Sequence, residues 1–514
     1  MEHGGRWRRS QRRPETAIVD IVLSTASKKR GFPLGSHAPQ FRLRLSILAR
    51  LIVGSIALIE FSLSTHSSLA DDRGWDFDSY RVKALVALDV PGGLAEKLAG
   101  ELPRYLQERV EASLGRAWTF EAQLATGVLR HSVLTNLRTA NPAAPAEFSS
   151  DGDKLLLLAV QSKSDGFQLT AREYDHYVQR WGVPIQRESR QCHMLAEQLF
   201  ALARHAVAPL ARFELDPKND KQVILRARGA GLFSDGAGEP WAKPGDIFRP
   251  FLRRTTRGGQ LAENGIQAVP WTYVETVSVD GPTLVGLVYS GNRRPFSARR
   301  QGRIEQVAMA LRADPGETIL RLQSRTNANK PLVGYEMYSQ KPGEEATTRI
   351  GASDSAGKVA VRPGAQRIQT LFIKHGGQLL AKLPVVPGAE AEIAVPLPDD
   401  DMRLEAEARL SSMREELVDV VARRNILMAR ARHKIEQKDF DAAQELIRAV
   451  DQLPGQSQFN LTLSTASRLL RSDDPQIQRR IEQLFQATQT VLSQYLDSRP
   501  IGELRAELRE AQRQ

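Results

Sequence analysis

The apolar positions divide the chain into stretches with different periods. Arg81 to Val90 reads as a strand, Pro91-Gly92-Gly93 turns the chain, and Leu94, Leu98, Leu102, Leu106 and Val110 then recur every four residues. That spacing predicts a helix over 94–114 with one buried stripe. A strand at Trp118–Leu124 and a short helix over 127–138 follow, before the connection Asn141-Pro-Ala-Ala-Pro145. The clearest pattern lies between Asp153 and Gln191. Lys154-Leu-Leu-Leu-Leu-Ala-Val160 is a short apolar run bounded by turn residues, which suits a strand covered on both faces. Ser164-Asp165-Gly166 supplies a hairpin turn, and the return strand alternates Phe167, Leu169 and Ala171 with Gln168, Thr170 and Arg172. Asp175 begins a second reversal, a strand is predicted over Ile185–Gln191, and a helix over 194–209 turns Leu195, Leu199, Leu202 and Val207 inward. Together these predict an α/β domain over residues 76–216.

Two β-rich modules come next. Residues 222–313 carry a strand at Val223–Arg226, a Pro244-Gly-Asp-Ile-Phe248 turn, and the hairpin Val274–Val279, Asp280-Gly281, Leu284–Tyr289. Asp-Gly between β-rich runs favours a type I′ turn. With Ile304–Leu311 as a closing strand and no intervening helix, a small β-barrel is expected. Residues 317–397 hold seven short strands, at 317–323, 332–338, 346–350, 358–362, 368–374, 378–384 and 391–396, with turn residues between them. An immunoglobulin-like β-sandwich fits that spacing. From 402 to 514 the period is helical. Asp399-Asp400-Asp401 favours a helix start, and Asp474-Pro475 is an N-cap followed by proline at the first helical position. Ile477, Ile481, Leu484, Phe485, Val491, Leu492 and Tyr495 then share a face that packs within the tail or against another chain. The fold class expected is therefore multidomain α+β.

The amino terminus has its own pattern. Residues 1–70 carry eleven Lys/Arg against four Asp/Glu, a net of +7. A basic leader precedes the apolar run Leu51–Leu63, and Ser68-Leu69-Ala70 offers small residues at the positions signal peptidase reads. These are the parts of an export signal cleaved after Ala70. Glu60 interrupts the apolar core, and the alternative is an uncleaved amino-terminal membrane anchor, although the run is shorter than the ~20 residues a span prefers. Membrane contact is expected through this segment alone.

Several stretches resemble known families. The order strand–helix–strand–helix–three strands–helix, with Leu155–Val160, Asp165-Gly166, Phe167–Tyr174, Asp175 and Trp181, resembles the TolB amino-terminal domain and the curli-secretion lipoproteins. That resemblance contains no catalytic signature and implies an envelope location and partner binding more than any mechanism. Pro244-Gly-Asp-x-Phe248 resembles a turn in small envelope barrels such as the flagellar T-ring family. Gly351-Ala-Ser-Asp-Ser-Ala-Gly357-Lys-Val resembles the hairpin of carboxypeptidase-regulatory-like domains, which are spacers or adhesive modules. Lys438-Asp-Phe-Asp-Ala-Ala443 through Pro454 resembles the second helix of a tetratricopeptide unit, in one copy where an array needs about three.

Composition and chemistry narrow the function classes. The 514 residues carry a net charge of +11, but removing the +7 of the leader leaves 60 basic against 56 acidic residues. That mild surplus argues against a nucleic-acid partner. The single cysteine, Cys192, excludes an intrachain disulfide, and neither His-Glu-x-x-His nor Cys-x-x-Cys occurs. Gly229-Ala-Gly231 fails as a dinucleotide loop, and no Walker pattern or Gly-x-Ser-x-Gly elbow is present. No cofactor, metal or catalytic residue is assigned. Cys192-His193 precedes a helix and makes no dyad by adjacency, and Asp151-Gly-Asp153 and Asp354-x-x-Gly357 read as turns rather than calcium loops. The basic residues of most interest are Arg253, Arg254, Arg293, Arg294, Arg299 and Arg300, with Phe296 beside one pair. Planar guanidinium groups there would bind a polyanion; the simpler account is a solvated surface paired with local carboxylates. The expected function is an exported bacterial envelope protein acting as a non-catalytic scaffold or binding component, with envelope proteins or a cell-wall polymer as partners. The alternatives are an exported hydrolase with a dispersed site and a polyanion-binding module.

Overall fold

The computed structural model describes residues 74–139, 142, 152–233, 241–296, 303–313, 315–340 and 346–513. The chain divides into two units, Met1–Ser67 and Ser68–Gln514, and every described residue belongs to the second. The expectations about the leader, the Ala70 cleavage site, residues 143–150, Arg299 and Arg300 fall outside the described residues.

The architecture is mixed α+β: several sheets, one of them a closed six-stranded barrel, and a helical C-terminal region. The first sheet contains β1 (Tyr80–Asp89), β2 (Trp118–Leu124), β3 (Lys154–Lys163), β4 (Gly166–Asp175), β5 (Arg180–Trp181) and β6 (Ile185–Ser189). Its order is β2-β1-β3-β4-β5, with β6 also paired to β4. β1 runs parallel to both β2 and β3, whereas β3 and β4 form a long antiparallel hairpin. Helices α1 (Gly92–Leu114) and α3 (Leu195–Ala206) cover one face, where Val82, Val86, Leu156, Leu158 and Val160 are buried. Helix α2 (Gly127–Arg138) covers the other, placing Val133 and Leu137 against Leu155, Leu157 and Ala159. The four consecutive leucines of β3 are therefore buried on alternate sides. Each contributes roughly 1.5–3 kcal/mol of apolar burial.

The barrel begins earlier than the apolar pattern places it. Leu210–Asp216 is strand β7, which pairs with β8 (Asn219–Ala227) and with β13 (Arg303–Ala310) rather than joining the first sheet. With β9 (Ile247–Thr255), β11 (Thr272–Asp280) and β12 (Thr283–Ser290), the sheet closes through the β9–β13 seam, and β10 (Leu261–Ala268) extends from β9. Inside, a Cβ on Gly286 would run into Val274 and come within 2.9 Å of Leu225, so the barrel's packing requires glycine there. One hydrophobic core runs from the α1/α3 face of the first sheet into the barrel, joining Trp75, Tyr80 and Trp118 to Trp241, Phe248 and Phe251.

Two sheets follow over a single core. β17 (Lys358–Val361), β14 (Thr318–Ser324) and β20 (Glu392–Leu397) form one; β16 (Thr347–Ala352), β15 (Glu336–Gln340), β18 (Gln369–His375) and β19 (Gln378–Val385) form the other. Leu320, Leu322, Met337, Leu371 and Val395 fill the space between them. The tail consists of α4 (Asp401–Glu436), α5 (Phe440–Asp451), α6 (Gln456–Leu469), α7 (Pro475–Tyr495) and α8 (Arg499–Ala511). The apolar face of α7 is covered within the tail, with Ile477, Ile481, Phe485 and Leu492 against α4 and α6. Asp474 caps α7 by accepting from the Gln476 N–H at 2.9 Å, with Pro475 at the first turn. Among the described residues, no helix is long and apolar enough to cross a membrane.

Buried contacts join successive parts. Between the barrel and the paired sheets, Ile247, Tyr273, Ile368, Val386 and Ala389 make a small core, and Arg249 pairs with Glu390. Between the paired sheets and the tail, the Asp400 N–H donates to the Tyr335 hydroxyl at 2.9 Å, and the Tyr335 ring stacks on His375 at 4.0 Å. Arg403 closes that junction by pairing with the buried Asp400.

Candidate functional site

The densest polar chemistry is buried where the first sheet meets the barrel. Alternation along β4 puts Glu173 and Asp175 on the same face as Leu169 and Ala171. The hairpin register sets Lys154 directly opposite Asp175. Lys154 Nζ donates to Asp175 Oδ2 at 2.7 Å, to Glu173 Oε2 at 3.0 Å and to the Ala208 carbonyl at 2.7 Å. All three ionisable side chains are 0% exposed. The Tyr80 ring lies 5.4 Å from Nζ, and its hydroxyl accepts from the Leu210 N–H at 2.9 Å. Asp175 Oδ1 accepts from the Val178 N–H, whereas Glu173 Oε1 has no hydrogen-bond partner.

The electrostatics follow from burial and proximity. Burial pushes the Glu173 carboxyl up to about 7; Lys154 opposes that rise and Asp175 adds to it. Burial disfavours the Lys154 ammonium, but Asp175 and Glu173 outweigh it and hold its pKa above the ordinary value. Burial also raises the Tyr80 phenol, so it stays neutral. Around the cluster, Arg228 pairs with Asp78 at 3.0 Å and Asp153 at 3.1 Å and lies over the Tyr80 ring. Trp75 Nε1 donates to the Arg226 carbonyl at 3.1 Å. These contacts tie the first sheet to the barrel. No substrate reaches a group buried this completely, so the cluster is not an open active site.

Four of the six candidate arginines, Arg253, Arg254, Arg293 and Arg294, are among the described residues. Arg253 pairs with Glu305 across the barrel seam at 3.4 Å and stacks over Tyr177 at 4.2 Å. Arg254, Arg293 and Arg294 are exposed. Phe296 is not a stacking platform beside the arginines, because it is buried in the core against Phe213, with ring centroids 4.9 Å apart. Trp181 packs on Tyr174 and donates to the Pro142 carbonyl, and Arg172 lies over its ring. Arg172 also donates to the Asn136 and Thr139 carbonyls, and burial lowers its pKa to about 10. Cys192 and His193 are both exposed.

Asp153 and Asp354 are engaged within the chain. Asp153 accepts from the Arg81 N–H and pairs with Arg228, and Asp354 accepts from the Ala356 and Lys358 N–H groups. Among the described residues, no group of three or more His, Cys, Asp or Glu is placed to hold a metal ion. Surface depressions occur among the described residues. A groove of about 770 Å³ between α4 and α5 is lined by Ala429, Arg430, His433, Ala442 and Leu446; a cleft of about 170 Å³ beside α2 is lined by Gln161, Gln168, Thr170 and Gln186. Neither contains Lys154, Glu173 or Asp175.

No family model matches the chain, and no curated protein does. Solved structures give weak likenesses. TolB from Acinetobacter baumannii is 10% identical with a TM-score of 0.16, over 61% of this chain and 84% of that one. A variant of BcpA, the major pilin subunit of Bacillus cereus, is 8% identical with a TM-score of 0.13, over 48% and 71%. The Bacillus anthracis TIE protein is 10% identical with a TM-score of 0.14, over 51% and 68%. Scores this low assign no fold.

Proposed function

We propose that this chain is an exported bacterial envelope protein that works as a non-catalytic scaffold, holding binding surfaces at fixed separations. The supporting observation is the construction of its junctions. Each passage from one part to the next is made of buried or half-buried groups in contact: Arg228 with Asp153, the core around Ile247 and Val386, and Asp400 with Arg403 and Tyr335. Flexible linkers between independent domains would leave those groups solvated. Export rests on the amino-terminal signal pattern, with the mature chain beginning after Ala70. In this reading the module at 317–397 is an immunoglobulin-like spacer, and its partners are envelope proteins or a cell-wall polymer.

Cell fractionation with amino-terminal sequencing tests the reading. The mature chain is expected outside the cytoplasm, beginning at Asp71, and a mature chain found in the cytoplasm would overturn it. Limited proteolysis addresses the rigid junctions: rapid cutting between Leu397 and Asp401 would contradict them. The polyanion alternative is favoured by the exposure of Arg254, Arg293 and Arg294. It predicts salt-sensitive retention on an anionic matrix, weakened when Arg293 and Arg294 are both changed to Ala.

A further inference from the structure

We propose that Lys154 and Asp175 become covalently joined after folding, by an amide between Lys154 Nζ and Asp175 Cγ, with Glu173 as the proton shuttle. Nζ lies 2.7 Å from Asp175 Oδ2, which puts the carboxyl carbon about 3.5 Å away, at near-attack range. The residues face each other across one hairpin, so the backbone keeps the two side chains together. Ala208 and Glu173 hold the amine from its other sides. Gly182 packs closely on Glu173, where an added Cβ would come within 2.9 Å of Glu173 Cγ.

The proton inventory allows the step. With Glu173 protonated, the cluster contains one ammonium, one carboxylate and one carboxylic acid. Transfer of one proton from Nζ to Asp175 Oδ2, along a hydrogen bond already formed, gives a neutral amine and two carboxylic acids. This neutral arrangement is the minor form, because Asp175 and Glu173 hold the ammonium, and it is the form from which the reaction proceeds. The Nζ lone pair then attacks Asp175 Cγ. Glu173 Oε2, already hydrogen-bonded to Nζ, accepts a proton from nitrogen, and Oε1, which has no partner in the resting structure, turns to donate one to the departing hydroxyl. An N–C bond forms, a C–O bond breaks, one water leaves, and Glu173 ends protonated as it began. No oxidant or co-reactant is required. Because all three side chains are fully buried, bulk water is kept from reversing the step. The product closes the open end of the β3–β4 hairpin where the first sheet meets the barrel.

Intact-mass spectrometry of the purified folded chain, followed by tandem sequencing of tryptic peptides, tests this. The expected result is a mass lower than that of the sequence by one water. Trypsin should fail to cut after Lys154, and a bridged peptide should join Lys154 to Asp175. Lys154→Arg and Glu173→Gln should each carry the full mass. Folded wild-type protein at full mass after prolonged incubation would overturn the proposal without any variant. So would loss of water placed in a succinimide at Asp165-Gly166 or Asp280-Gly281, with no bridged peptide. A bridge that still forms in Glu173→Gln would overturn the shuttle role assigned to Glu173.

Discussion

In the chain whose Lys154 and Asp175 are not yet joined, Glu173→Gln isolates the electrostatic consequence of burying the cluster. In the folded chain burial pushes the Glu173 carboxyl from its ordinary 4.5 up to about 7. Between those values the folded state holds a proton that the unfolded state has lost. Stability therefore falls as pH rises through this window, and the loss is complete above pH ~7. The shift corresponds to about 3 kcal/mol for a fully buried group. Glutamine neither binds nor releases that proton, so the variant lacks this part of the pH dependence. It also replaces a charge-assisted acceptor for Lys154, which adds an offset that does not vary with pH. The diagnostic quantity is therefore the change in the difference between the two proteins. Relative to wild type, the variant should gain about 3 kcal/mol between pH 4.5 and 8. Urea unfolding followed by tryptophan fluorescence reads the relevant unit, because Trp75, Trp118 and Trp241 lie in the core that the cluster borders. Parallel stability–pH curves for the two proteins would show that Glu173 titrates as an ordinary carboxyl, and would refute the reasoning.

Other perturbations test separate contacts. Lys154→Met leaves two buried acids without their cation and should cost about 3–5 kcal/mol; adding Glu173→Gln and Asp175→Asn should restore much of it, as read by urea unfolding. Gly286→Ala should destabilise the barrel by about 1–3 kcal/mol, because the new methyl meets Val274 and Leu225. Arg253→Ala should cost about 1–2 kcal/mol through loss of Glu305 pairing and Tyr177 stacking, whereas Arg254→Ala should leave the unfolding midpoint unchanged. Asp474→Ala removes the α7 cap and should lower tail stability by about 1 kcal/mol, measured by far-ultraviolet circular dichroism during thermal unfolding.

Much of the local structure follows from periodicity. The leucine run, the Asp165-Gly166 turn and the α1 stripe each specify an element whose partners are near in sequence. The buried cluster was legible in part as well: counting outward from the Lys163–Gly166 pair brings Lys154 opposite Asp175, and alternation puts Glu173 on the same face. A lysine opening an apolar strand opposite two alternating carboxyls was the available signal. The contributions of Tyr80, Ala208 and Arg228 were not legible, because they arrive from distant segments when the sheet and barrel close on one core. The burial of Phe296 was not legible for the same reason. Its neighbours in sequence are polar, but the barrel folds it onto Phe213. Strand β7 follows α3 so closely that it falls inside the 76–216 bounds expected for the first domain, and only its pairing with β13 places it in the barrel.

The charged cluster also supplies something the leucines of β3 cannot. A one-residue slip of the hairpin would turn every leucine to the opposite face and set the β3 pattern against β4. A two-residue slip would keep each leucine on its own side, and β3 is buried on both sides in any case, so apolar pairing resists that error weakly. The polar groups resist it strongly. Moving Lys154 opposite Glu173 would carry Asp175 beyond its partner, break its contact with the amine, and leave a carboxylate in a space that excludes water. The same slip would pull Nζ from the Ala208 carbonyl, which leads into β7. As the chain folds, before any amide forms, one buried cation thus links the register of the hairpin to the seating of the barrel. An apolar replacement of equal volume could match its stability while leaving the two-residue slip open.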